Sequence, residues 1–216
     1  MLSRDFRRAL GDEHSSEVIE CPHQKALGYD GLEPLVRHRL EELDDPTLLI
    51  GESFSGPLAV RVAADPPPAV VGLVLVATFV EPPRSSALRH LITPVLFRLP
   101  PPRMVIRRYL VGNDAPDVLV RAVVEAVRRV SPSVMSCRVK AVLGVDERAA
   151  LRRVPLPILF IEAGRDRVVI RRRALGQCRP DIDLRTIDSP HLVLQRKPRE
   201  AAEVVREFAE RMSVVV

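Results

Sequence analysis

The stretch Leu48-Leu49-Ile50-Gly51-Glu52-Ser53-Phe54-Ser55-Gly56-Pro57-Leu58-Ala59-Val60-Arg61-Val62-Ala63-Ala64 decides the fold. Leu48 to Ile50 is an apolar run of the kind that forms a buried strand. Pro57 to Ala64 reads as the start of a helix, and the residues between make a tight turn around Ser53. A strand that reverses into a helix over so few residues forces the residue at its apex into a strained backbone conformation. Small residues are then needed on both sides, because bulky neighbours would clash. Gly51, Ser55 and Gly56 are those small residues.

A serine hydroxyl is a poor nucleophile until a histidine removes its proton, and the histidine must be held by a carboxylate. The rest of the chain supplies both in order. Leu156 to Ala163 reads as a buried strand, followed by Gly164-Arg165-Asp166-Arg167. A short helix and the alternating strand Asp183 to Asp188 come next, and then Ser189-Pro190-His191-Leu192. The G-x-S-x-G pattern, here with Ser55 at the last small position and Gly56 behind it, and the order Ser, Asp, His along the chain resemble the α/β-hydrolase superfamily. The resemblance covers nearly the whole chain. It implies Ser53 as nucleophile, Asp166 as acid and His191 as base, each on a loop at the carboxyl end of a strand.

Rivals exist for the acid. Glu81 follows the preceding central strand, where some hydrolases of the family carry it, and Asp188 lies close to His191 in sequence. Asp166 is the first choice among the three. His14, His23, His38 and His90 fall in early loops and helices and read as surface residues. Glu52 reads as solvated or packed beside the turn.

Composition bounds the rest. The chain has 216 residues, enough for one domain with a sizeable core. Its hydrophobic fraction of 46% and charged fraction of 28% are ordinary for a globular protein. The longest apolar stretch, Ala69 to Val80, is too short to span a bilayer and reads as a buried strand. No signal-peptide core is visible at the start. Three widely spaced cysteines, Cys21, Cys137 and Cys178, form no metal or redox pattern, and a reducing cytoplasm is the expected compartment. The net charge is +5, with a pI near 9.6. The arginines are nevertheless scattered, with Arg171-Arg172-Arg173 the one short run. Aromatics make up only 4% of the chain. A nucleic-acid platform, which interleaves aromatic and basic residues, is not expected.

Strands are expected at Glu17–Cys21, Thr47–Ile50, Val70–Ala77, Pro157–Ala163 and Ile182–Asp188. Helices are expected at residues 2–10, Tyr29–Leu43 and Pro198–Met212. Alternating strands and helices imply a parallel sheet covered on both faces. A single domain is therefore expected, with a core at 1–81 and 147–216. Between Pro82 and Asp146 the alternation stops, and helices are expected at Ser85–Leu99, Met104–Leu110, Pro116–Val130 and Ser133–Leu143. The family resemblance implies a helical cap there. Leu91, Val95 and Leu96, with Ile92 and Phe97, are its candidates for an apolar substrate pocket, or else they dock the cap on the sheet.

An oxyanion hole needs two backbone N–H donors. The resemblance assigns one to Phe54, after the nucleophile. The other belongs to a glycine-rich loop after a strand that residues 1–30 do not supply. The strand next to Thr47–Ile50 is thus expected to be missing. Glu17–Cys21 must then shift across to pair, or the nucleophile strand keeps an open edge. This pattern implies either a natural chain that extends upstream or a degraded relative.

The function expected from these residues is a serine hydrolase acting on a small carboxylic ester or thioester through an acyl-enzyme, with no metal or organic cofactor. A carboxylate-nucleophile dehalogenase does not fit a serine at the elbow, whereas a C–C bond hydrolase or a lactonase does. The alternative is a non-catalytic or weakly active α/β-hydrolase-like binding protein, motivated by the missing oxyanion loop.

Overall fold

Val70 to Val76 and Ile158 to Ala163 are apolar at nearly every position, and alternate residues must therefore be buried on opposite faces. The structure, a computed structural model that describes residues 2–11, 13–83, 85–169 and 173–213, shows this arrangement. Arg4–Leu10 forms α1 and Tyr29–Glu41 forms α2. Thr47–Glu52 is β1, Ser55–Ala63 is α3 and Val70–Val76 is β2. Two 3₁₀ turns follow, at Ser86–Leu91 and Pro94–Phe97. Next come α4 at Arg103–Ile106, which runs on as a π-helical turn at Arg107–Val111, then α5 at Asp117–Arg129 and α6 at Pro132–Gly144. The chain then returns to the core through α7 (Arg148–Arg153), β3 (Ile158–Ala163), α8 (Arg173–Cys178) and β4 (Asp183–Ile187). It finishes with α9 (Val193–Arg196) and α10 (Pro198–Ser213).

The four strands are parallel and lie in the order β1-β2-β3-β4. Leu73 and Leu75 of β2 and Ile158 and Phe160 of β3 pack against α2, α3, α7 and α8 on one face. Val74 and Val76 of β2, with Leu159 and Ile161 of β3, pack against α1 and α10 on the other. Between β2 and β3, α4 and α5 build a small core of their own from Ile106, Val111, Ala115, Val120 and Val123.

Two expectations need correction. Glu17–Cys21 is not a strand. It has the alternation, since Ile19 and Cys21 pack on the main core. Its fixing bonds, however, come from side chains. Arg39 binds the Glu17 carboxylate, Arg7 binds the Ser16 carbonyl at 2.7 Å, and Arg138 binds the Pro22 carbonyl at 3.0 Å. β1 is consequently the edge of the sheet among the described residues. The long helix expected over Ser85–Leu99 is likewise two short 3₁₀ turns, because Pro94 lacks the amide that a continuous helix needs there. Arg171 and Arg172 lie outside the described residues.

Candidate active site

β1 delivers its last residue, Glu52, straight into the turn at Ser53, which has a φ of 53°. A non-glycine residue in this left-handed region is strained and persists only where its surroundings over-determine it. Here they do. The Ser53 amide donates to Val76 O at 2.9 Å and the Gly56 amide to Ser53 O at 3.1 Å. The Thr78 hydroxyl donates to that same Ser53 carbonyl at 2.6 Å, and the Ser55 hydroxyl to Glu52 O at 2.9 Å. The close approach of α3 explains the two glycines. A Cβ on Gly56 would lie 1.9 Å from Thr78 Oγ1, and one on Gly51 would lie 2.9 Å from Ala59 Cβ.

Asp166 and His191 reach the same end of the sheet from the loops after β3 and β4. The β3–β4 ladder continues into those loops, with Gly164 N bonding Ile187 O at 2.8 Å and Arg165 N bonding Ser189 O at 2.9 Å. His191 Nε2 lies 2.7 Å from Ser53 Oγ, and its Nδ1 lies 2.8 Å from Asp166 Oδ2. The histidine and aspartate side chains are 2% and 1% exposed, so water does not compete for this bond. The other carboxylate oxygen, Asp166 Oδ1, accepts from the amides of Val168 at 2.7 Å and Val169 at 3.1 Å. With a carboxylate as acceptor at Nδ1, the ring proton sits there and Nε2 is left to accept from the serine. Serine, imidazole and carboxylate thus form one continuous hydrogen-bonded line.

The model of the Alpha/beta hydrolase family matches residues 5–205. The chain belongs to the α/β-hydrolase family. Solved structures share its fold at low identity. A bromoperoxidase from Bacillus anthracis superposes with a TM-score of 0.80 at 15% identity, over 97% of this chain and 87% of that one. A thermophilic esterase from Thermogutta terrifontis gives 0.77 at 18%, over 98% and 85%. A structure from a study of carboxylesterases of Nitrososphaera gargenis gives 0.78 at 19%, over 100% and 87%. No curated protein matches the chain.

This α/β-hydrolase keeps the rival acids away from the histidine. Glu81 faces Arg148 at 3.9 Å, and Asp188 is 77% exposed and pairs with Arg165 at 2.7 Å. His14, His23, His38 and His90 are all exposed. Phe54 caps the N-terminus of α3, and its ring stacks on Tyr29 with centroids 5.1 Å apart. Arg138 of α6 lies over its other side, 5.6 Å from the ring centre. Leu91, Val95 and Leu96 lie on the outer surface of the 3₁₀ turns, 69%, 59% and 59% exposed. The described cavity of about 410 Å³ opens at the opposite end of the sheet, between Pro155–Ile158, Arg179 and Arg211. No group of three or more potential metal ligands occurs among the described residues.

Two participants escape a reading of the sequence. Thr78, fully buried, clamps the Ser53 carbonyl from the residue pair beyond β2, and no motif marks it. Glu52 does more than pack. Its carboxylate accepts from Leu194 N at 3.1 Å and from Gln195 Nε2 at 2.9 Å, tying the Ser53 strand to the segment just after His191. Withdrawal from water pushes its carboxyl above the ordinary glutamate value, partly offset by these hydrogen bonds. The signal available was its place beside the serine, which the tertiary partner alone turns into a role.

Proposed function

We propose that this chain is a serine hydrolase that cleaves a small carboxylic ester or thioester through an acyl-enzyme. The observation that carries the reading is the unbroken line Ser53–His191–Asp166 at 2.7 and 2.8 Å. In this reading Ser53 Oγ attacks the carbonyl carbon as its proton passes to His191 Nε2. Asp166 fixes the ring and stabilises the cation that forms. The tetrahedral oxyanion meets the Phe54 N–H at the first turn of α3, whose dipole favours negative charge. Collapse expels the alcohol or thiol, which takes the proton back from His191. Water activated by the same nitrogen then attacks the acyl-serine and releases the acid. Leu91, Val95 and Leu96 are the proposed apolar contacts for the substrate, reached from the outer side of the 3₁₀ turns.

The test is hydrolysis of short p-nitrophenyl esters by the wild type and by Ser53→Ala, with fluorophosphonate labelling of the same two proteins. The expected result is turnover and labelling in the wild type and neither in Ser53→Ala. Equal rates in both would remove Ser53 from the chemistry. A folded wild type that neither turns over nor labels would favour the binding-protein alternative, for which the supporting observation is that β1, beside the serine, is an edge strand among the described residues.

A further inference from the structure

Between Glu81 and Asp114 the chain carries six arginines, at positions 84, 89, 98, 103, 107 and 108, and no aspartate or glutamate. Several arginines elsewhere in this protein find carboxylates, among them Arg37 with Glu33, Arg39 with Glu17, Arg61 with Glu147 and Arg179 with Asp181. In this segment Arg107 turns back to Asp117. Arg98, Arg103 and Arg108 are exposed and join no ion pair among the described residues. Interleaved with them are protruding apolar side chains, with Leu99 81% and Met104 75% exposed. Single exposed apolar residues need no explanation, but a run of them on one surface marks an interaction site.

The place of this surface matters. The two 3₁₀ turns pack on α6, and α6 lays Arg138 over the Phe54 ring next to Ser53. The π-helical end of α4 hands the Leu110 carbonyl to the amide of Leu192, beside His191, at 3.0 Å. The exposed arginines thus belong to the insertion whose other members reach Phe54 and Leu192, next to Ser53 and His191.

We propose that this face seats the protein on an anionic lipid bilayer. Leu99 and Met104 enter the headgroup–acyl boundary, while Arg98, Arg103 and Arg108 reach lipid phosphates with their guanidinium forks. Charge selects this occupant over a second copy of the chain. A two-fold contact through this face would set the three arginines against themselves, with no carboxylate to relieve them. Shape selects it over an acidic protein. The apolar groups project singly from turns and a short helix, which a fluid interface accommodates without a complementary pocket. No described helix is long and apolar enough to cross a membrane. The inference is independent of whether Ser53 is a nucleophile.

The experiment is flotation of the full chain with vesicles of equimolar phosphatidylcholine and phosphatidylglycerol, and with phosphatidylcholine alone. Binding is expected to the anionic vesicles, much less to the neutral ones, and is expected to fall as salt is raised. Each exposed arginine contributes about fivefold to partitioning, so Arg98→Gln/Arg103→Gln/Arg108→Gln should weaken binding by about a hundred-fold. Leu99→Asp/Met104→Asp should also release the protein, with thermal unfolding unchanged in both variants. Failure of the wild type to float with anionic vesicles overturns the proposal, as does binding that is indifferent to both lipid charge and salt. So would a self-association in sedimentation that Leu99→Asp/Met104→Asp abolishes, if vesicle binding is absent. Should a variant fail to fold, the salt and lipid-charge dependence of the wild type still decides.

Discussion

His191 meets both partners from a position that is 2% exposed, and each of its ring nitrogens has a single short contact, one to Asp166 and one to Ser53. The ring therefore has no freedom to turn, and the identity of its Nδ1 partner sets which nitrogen faces the serine. Asp166→Asn offers that nitrogen an amide that can donate as well as accept, which permits the wrong tautomer. Ester turnover should fall by about ten-thousand-fold, with the fold intact. Glu81→Gln, at a residue engaged with Arg148, should leave turnover within about twofold of wild type. Steady-state kinetics on a p-nitrophenyl ester checks both. Turnover lost in Glu81→Gln but kept in Asp166→Asn would move the acid to the earlier strand.

At the scale of elements, the site is a meeting of three strand ends, and Glu52 is the brace between two of them. It leaves β1 immediately before the serine and holds the α9 segment that follows the histidine, at Leu194 and Gln195. Removing the carboxylate in Glu52→Ala frees that segment to drift, and misplacement of a catalytic group by about 1 Å costs on the order of a hundred-fold in rate. The expected signature is a loss in kcat with KM little changed, since nothing places Glu52 against the substrate. Glu52→Gln should recover most of the rate, because the amide still accepts from Leu194 N and can donate to Gln195 Oε1, a buried oxygen without a partner. Equal losses in Glu52→Ala and Glu52→Gln would assign the effect to charge instead of tethering.

For the whole molecule, the same carboxyl links stability to pH. Burial raises its folded-state pKa above the ordinary 4.5, so the folded chain holds the Glu52 proton more tightly than the unfolded chain does. Its contribution to stability is then fully present below the unfolded value and is lost as pH rises through the folded one. Glu52→Gln cannot titrate. Its melting temperature relative to wild type should therefore climb as pH is raised from 4 towards neutrality, on the order of a few degrees for each kcal/mol in a domain of this size. Thermal unfolding of the two proteins across that range measures it, and a constant difference would mean that Glu52 ionises alike in both states.

The local signals in this chain are strong where one element suffices to create them. β2 and β3 are legible because strands buried on both faces must be apolar throughout, and the turn at Ser53 is legible because only small residues fit between β1 and α3. Asp166 and His191 are legible as candidates because each follows a recognisable strand. The sequence by itself therefore determined the parallel α/β frame and a short set of candidates at its carboxyl end. Which carboxylate meets His191 is a matter of distance between loops far apart in the chain, and only the tertiary structure shows that it is Asp166. The same holds for Glu17–Cys21, whose alternation predicts a strand but which arginine side chains hold at Glu17 and at the following Pro22. It holds too for Thr78 and Glu52, ordinary in sequence, whose roles come from the atoms that folding brings within about 3 Å of them.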